Sequence, residues 1–326
     1  MSIRFASREA ADKLLGYLAL EYDADGVSRT APNNIQYYYK LPAIFAYGGR
    51  RELAYRLLEQ FVARFMRNQQ LNLSSDPVAY PWTPYLGGWA AWGAGALGRF
   101  DIAHHIMGSV VGFRDSKTGG YQFLSSTGKR LLDVERTGAA LMGAVWSQNL
   151  SEARSAARFL RLALECQPAP DREFHAYVNP SGKVAPDTSD RNAYFSFSDP
   201  FARPALFATG ISGLVWLGRA ASDEEPFALA QAYMRVVLAH HADPGMLPLA
   251  TKLGWSALML SAHHNRPEFN SLAIHCAHSL IERQNQDGSI NFDQVPDVSK
   301  PIDKLWLIGW GCDCVLTLMA VADGTA

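Results

Sequence analysis

The sequence predicts an all-α protein, a closed (α/α)6 barrel in which helical hairpins stand side by side. Three observations point to it. Apolar residues recur at helical spacing along most of the 326-residue chain. Segments rich in Gly, Ala and Trp alternate with amphipathic segments that carry Arg, Glu and Gln on one face. The first kind returns at steps of roughly fifty residues, the rhythm of stacked hairpins. A helix apolar on all sides belongs inside, and one with a charged face belongs outside.

The chain opens with "ASREAADKLLGYLALEYD", residues 6–23, an amphipathic helix with no inner partner before it. "IQYYYKLPAIFAYGG" is the first inner helix, stopped by two glycines. "RRELAYRLLEQFVARFMR" is its outer partner. The inner helices begin near Gln36, Tyr85, Asp133, Pro200, Pro248 and Asp303, and each of the first five is followed by an amphipathic partner. The last inner helix has none after it. Residues 6–23 fill that place, which closes the ring and makes residues 1–326 one barrel domain. Turn-rich connections such as "SKTGGYQF", "VNPSGKVAP" and "NQDGSINFD" read as short hairpins or tight turns. They lie above the inner-helix N-termini, where loops on a rigid scaffold carry function.

Composition narrows the classes. Hydrophobic residues make up 48% of the chain, enough for a large core, and the formal net charge is −1. No block of like charge is present, which argues against nucleic acid and anionic membrane surfaces as partners. The first residues lack a signal-peptide pattern, and no apolar stretch reads as long and uncharged enough to span a membrane. The expectation is a soluble, cytoplasmic protein with a small-molecule substrate. Four cysteines do not make a disulfide framework. Cys312 and Cys314 are about 200° apart on a helix, so they read as reduced core thiols and not as metal ligands. No cofactor or metal motif stands out.

Two turns carry a resemblance. "QNQDGSINF", Gln284 to Phe292, resembles the Gln–Asp–Gly turn of the terpenoid cyclase and protein prenyltransferase toroids. "TGGYQF", Thr118 to Phe123, is similar to the Gly-Gly-aromatic turns of the same superfamily. Ile290 stands where that repeat usually has tryptophan. The Asp-x-Asp-Asp and Asp-Asp-x-x-Asp motifs are missing, and the cysteines do not follow the prenyltransferase zinc pattern. The resemblance implies the α/α toroid fold. That fold also serves glycoside hydrolases, polysaccharide lyases, sugar epimerases and a linalool dehydratase-isomerase type.

Helical spacing then sorts the inward stripes. Gln36, Tyr39, Lys40 and Tyr47 lie on the first, and Tyr85, Trp89 and Trp92 on the second. Asp133, Arg136 and Thr137 open the third, and Arg203 lies at the start of the fourth. Lys252, Trp255 and Met259 mark the fifth. Asp303, Trp306, Trp310, Asp313 and Thr317 mark the sixth. The result is a bowl of aromatics at the N-terminal ends, suited to an apolar ligand, a sugar face or a developing cation. Lys40, Arg136, Arg203, Lys252 and Lys304 near helix N-termini suit an anionic group, or alternatively pair with Asp133, Glu135 and Asp303. Asp313 is the first acid–base candidate and Asp133 the second, with helix capping the competing role for Asp133 and a lysine ion pair for Asp313. His175, on a loop over the mouth with Tyr121, Tyr177 and Tyr194, is the third, with an unengaged surface histidine as the bland alternative.

These features predict a metal-free acid–base enzyme, a cyclase, isomerase or lyase, for a largely apolar small molecule with an anionic group. The alternatives are a glycoside hydrolase or lyase on a uronic sugar, with Asp133 and Asp313 as the carboxyl pair, and a non-catalytic ligand-binding barrel.

Overall fold

A computed structural model describes residues 2–124, 128–170, 172–185, 194–196, 207–240, 247–264, 266–292 and 303–324. In chain order the α-helices are α1 (Ile3–Ala19), α2 (Leu41–Tyr47), α3 (Arg51–Phe65), α4 (Thr83–Ala96), α5 (Phe100–Val111) and α6 (Val134–Trp146). They continue as α7 (Leu150–Glu165), α8 (Ala208–Ala221), α9 (Glu224–His240), α10 (Leu247–His264), α11 (Pro267–Glu282) and α12 (Lys304–Asp323). The chain divides into two compact units, residues 1–64 with 242–326, and residues 65–241.

In the first unit, α12 packs on α10, α2, α11 and α1. This gives the last inner helix the outer partner that the sequence analysis assigned to residues 6–23. The reason is visible in α1, which buries Ala10, Ala11, Leu14, Leu15 and Leu18 on one face. A Cβ placed on Gly311 of α12 would stand 3.2 Å from Leu18, so the missing side chain lets the two helices approach closely. The "QNQDGSINF" turn fastens the same place. Gln284 donates its amide N–H to the Ala10 carbonyl at 2.8 Å and to the Gly288 carbonyl at 3.0 Å.

Two expectations in this unit need correction. The first inner helix does not run unbroken from Gln36. A 3-10 turn (Ile35–Tyr37), capped by Asn34, comes first, and α2 starts at Leu41 with Pro42 in its first turn. Proline suits that position and disfavours a helical residue before it, so the segment restarts there. Secondly, α12 is long and apolar enough to cross a membrane, with a mean hydropathy of 1.8. Two thirds of that stretch (67%) is buried in the fold, so the hydropathy here is that of a core helix.

In the second unit, α6 lies between α4 and α8, and α5, α7 and α9 pack on α4, α6 and α8 respectively. The contact is backbone to backbone: a Cβ on Gly88 would lie 2.1 Å from the Ala139 carbonyl oxygen. The expected turns carry small sheets. β3 (Tyr121–Leu124) pairs antiparallel with β4 (Arg130–Asp133), and β4 with β6 (Tyr177–Val178). β5 (Glu173–His175) pairs with β7 (Tyr194–Ser196), and β1 (Met66–Arg67) with β2 (Gln70–Leu71). The "TGGYQF" turn is pinned at Tyr121, whose hydroxyl donates to Glu152 at 2.7 Å. The fourth inner helix is described from Ala208; its expected start near Pro200 lies outside the described residues.

Candidate functional site

The expected site residues that the structure describes gather in two groups, one in each unit. In the first unit, Asp303 caps α12 and accepts the Trp306 backbone N–H at 3.0 Å. This cap, aided by the helix dipole, fixes the first turn. Trp306 is 43% exposed there. Its ring lies 5.0 Å from that of Trp310, which in turn meets Phe292 edge-on at 5.1 Å. One turn further on, Asp313 is fully buried. It accepts two hydrogen bonds from the Lys40 ammonium, at 2.7 and 2.8 Å, and the Lys252 Nζ stands 3.7 Å away. Lys40 also donates to the Gly309 carbonyl at 3.1 Å and lies 5.7 Å from the Tyr39 ring centre.

This is the physically required arrangement. A buried carboxylate needs partners, and here the N-cap of α2 and the body of α10 each bring a lysine to α12. The structural role weighed for Asp313, an ion pair with Lys40 and Lys252, is therefore realised. Trp255 is buried in α10, with its backbone N–H donating to Thr317 at 3.0 Å. Burial pushes the Cys312 and Cys314 thiols up, so neither is a ready thiolate.

In the second unit, β4 ends at Asp133, which caps α6 by accepting the Glu135 backbone N–H at 2.9 Å. The carboxylate also pairs with the Arg136 guanidinium. Arg136 donates Nε–H to the Pro81 carbonyl at 2.9 Å, and its plane lies between Trp82 (3.8 Å) and Phe123 (4.2 Å). Arg136 is thus a buried clamp joining the start of α4 to the start of α6, with its charge paired to Asp133. From this end a ladder of rings descends. Trp82 meets Tyr85 at 5.8 Å, Tyr85 meets Trp89 at 6.4 Å, and Trp89 meets Trp92 at 5.3 Å. Trp92 then touches Trp216 at 5.1 Å and Trp146 at 6.4 Å.

Two further placements differ from expectation. His175 is no surface residue. It is 7% exposed, its backbone N–H is bonded to the Gln167 side chain at 2.8 Å, and its Nε2 lies 3.6 Å from Glu173. Tyr47 lies near Asp323, at the other end of α12 from Trp306. Burial, with the Asp323 charge, pushes its phenol up to about 12, against the opposing pull of Arg8. Arg203 and the Tyr194 side chain lie outside what the structure describes.

Trp82, Phe123, Trp146, Trp216 and Phe292 are not among the site residues expected from the sequence. Trp82 was legible, since it precedes Tyr85 by three residues. Trp146 and Trp216 lie at and toward the far ends of inner helices whose stripes had been followed only from their N-termini.

No protein-family model and no curated protein matches the chain. Solved structures do. An inactive α-1,6-mannanase GH76A of Salegentibacter sp. HEL1_6, with two neighbouring aspartates replaced by asparagine and α-1,6-mannotriose bound, matches with a TM-score of 0.69 at 13% identity, covering 98% of this chain and 99% of that one. An unsaturated glucuronyl hydrolase specific for heparin matches with 0.66 at 12% identity, covering 98% and 96%. The type II terpene cyclase MstE from Scytonema, in a complex with geranylgeranyl dihydroxybenzoate, matches with 0.62 at 13% identity, covering 99% of each chain. Such likeness shows the fold, an α/α toroid, which accommodates both acid–base chemistry on a small apolar molecule and glycoside hydrolysis.

Proposed function

We propose that the chain is an acid–base enzyme of the cyclase, isomerase or lyase type. Its substrate is a largely apolar small molecule that carries an anionic group. The observation that carries this reading is the grouping around α12 of an aromatic platform, Trp306, Trp310 and Phe292, and the Lys40–Asp313–Lys252 cluster. Rings favour hydrocarbon and stabilise developing positive charge. An ion-paired carboxylate is a proton acceptor, and that is the role assigned to Asp313; Asp133 is the second acid–base candidate. The substrate named for the Scytonema cyclase, an isoprenoid joined to a benzoate, is support of the same chemical kind. A cytoplasmic setting belongs to the proposal, since all four cysteines are thiols, as in a reducing compartment.

A glycoside hydrolase or lyase is the second reading. It is favoured by Asp133 and Glu135, two buried carboxyl groups at the start of α6, and by the two aspartates replaced in the inactive mannanase. Incubation with prenylated benzoates, followed by mass spectrometry for isomerised or dehydrated product, tests the first reading. Reducing-sugar release from uronic oligosaccharides tests the second. Sugar release without conversion of any prenylated acid would overturn the first. Tight binding of such an acid without turnover would make the protein a ligand carrier.

A further inference from the structure

We infer that Gly309 of α12 opens a seat for an uncharged hydrocarbon group of the ligand, and so decides which apolar group the site admits. This rests on the proposed reading of the ligand as largely apolar. Trp306, Gly309, Trp310 and Asp313 follow one another at helical spacing and share one face of α12. Beyond its own helix and adjoining residues, a Cβ added at Gly309 would meet no atom of the described residues within 4 Å. The space is reached from outside, since Trp306 is 43% exposed and Gly309 and Trp310 are half-buried. Other glycines of the inner helices serve close packing. A Cβ on Gly138 would stand 2.7 Å from the Gly210 nitrogen, and one on Gly254 2.5 Å from the Thr317 side chain. Gly311, in α12 itself, faces Leu18 in the same way. Gly309 has no such neighbour, and it is not among the glycines with positive φ. A glycine inside a helix is less stable than alanine there. What Gly309 provides in exchange is the open space.

The chemistry of the seat follows from its walls and its floor. The Trp306 and Trp310 rings stand 5.0 Å apart, tilted by 52°, and offer apolar faces. Beneath, Lys40 donates to the Gly309 carbonyl at 3.1 Å and to the two Asp313 oxygens at 2.7 and 2.8 Å. These acceptors engage the donors of the ammonium. The ion pair is buried before any ligand arrives, with side-chain exposures of 4% and 0%, so hydrocarbon laid over it displaces little water. A hydroxyl-covered sugar face would find these groups already engaged and would lose hydration for nothing. A methyl-branched hydrocarbon of the isoprenoid kind suits both the rings and the floor.

The test fills the seat stepwise in the full chain with Gly309→Ala and Gly309→Leu. Alanine and leucine are both stronger helix formers than glycine, so each variant should melt ~1–3 °C above the wild type. Calorimetric titration then compares a geranyl-substituted hydroxybenzoic acid with its unsubstituted parent. The wild type should bind the geranylated acid roughly tenfold tighter or more. Gly309→Leu should abolish that ratio and Gly309→Ala should reduce it. Trp306→Ala should weaken the geranylated acid alone. A lower melting temperature in Gly309→Ala means that the chain itself fills the space, and overturns the inference. An unchanged ratio in folded Gly309→Leu overturns it too, as does a wild type that binds the two acids equally or binds neither. Should the leucine variant not fold, Gly309→Ala and Trp306→Ala decide by the same ratio. Loss of the ratio in a protein that converts no prenylated acid keeps the seat and removes the catalytic reading. Undiminished conversion by Gly309→Leu removes the seat and keeps the catalytic reading.

Discussion

Replacing Asp313 by asparagine keeps the shape of the side chain but removes the negative charge facing Lys40 and Lys252. Asp313 is fully buried, and the Lys40 side chain is 4% exposed. Water cannot readily take over the solvation of the lysine. Breaking a buried pair by removing one partner costs about 3–5 kcal/mol, because the other charge stays behind in a poorly solvating site. At ~2–4 °C per kcal/mol for a protein of this size class, the melting temperature should fall by roughly 6–20 °C. Thermal and urea unfolding followed by circular dichroism measure this directly. A double-mutant cycle with Lys40→Met separates the pair from the rest, and Lys40→Met with Asp313→Leu should recover most of the loss, since apolar pairs replace buried ion pairs at little cost. If Asp313→Asn melts within ~1 °C of wild type, the ion-pair reasoning fails. Activity separates the two roles. A proton-transfer role lowers turnover by ~10²-fold or more in Asp313→Asn, beyond any loss of folded protein. A destabilised variant with full specific activity leaves Asp313 as a positioning group and passes the chemistry to Asp133.

Gly88→Ala places a methyl 2.1 Å from the Ala139 carbonyl oxygen, a backbone atom that cannot swing away. It should cost ~1–3 kcal/mol or more in urea unfolding. Glu21 is buried, which raises its pKa, but Lys304, Ser28 and Thr30 outweigh this and bring it below the ordinary value. Its stabilising effect is therefore present above the unfolded carboxylate range and lost as pH falls through the folded value. Glu21→Gln should lower the melting temperature at pH 7, with the deficit fading below about pH 4. Tyr47 has the opposite sense. Its phenol is raised to about 12, so its stabilising effect is whole below ~10 and is lost as pH rises further. Tyr47→Phe should flatten the alkaline fall in melting temperature and remove one tyrosinate from the alkaline part of the 295 nm titration.

The helical rhythm was legible because it depends on local patterning. The leftover α1 could be assigned to α12 because an amphipathic helix must cover something. Pairing across the site was harder to read. Helical spacing put Asp313 on the stripe of Trp306 and Trp310, but spacing within one helix is silent on what a neighbouring helix brings. That both lysines converge on Asp313, and that Arg136 meets Asp133, Pro81 and two rings, are tertiary facts. Tyr47 shows the same limit. It shares a stripe with Lys40, yet two turns along a helix moved it to the end of α12 where Asp323 lies. His175 was misread because a histidine in a polar loop gives no sign that a glutamine eight residues earlier clasps its backbone.

The seating of α1 on α12 also fixes the order in which the protein can be completed. Arg8 and Met319, which touch across these helices, are 311 residues apart in the chain. At ~5–20 residues per second of synthesis, α1 waits roughly 15–60 s with its leucine face uncovered before its partner exists. The unit of residues 65–241 is continuous and all its strands and helices emerge within that interval. Until α12 is made, the nascent chain offers the apolar face of α1 uncovered, the kind of segment that holdase chaperones bind.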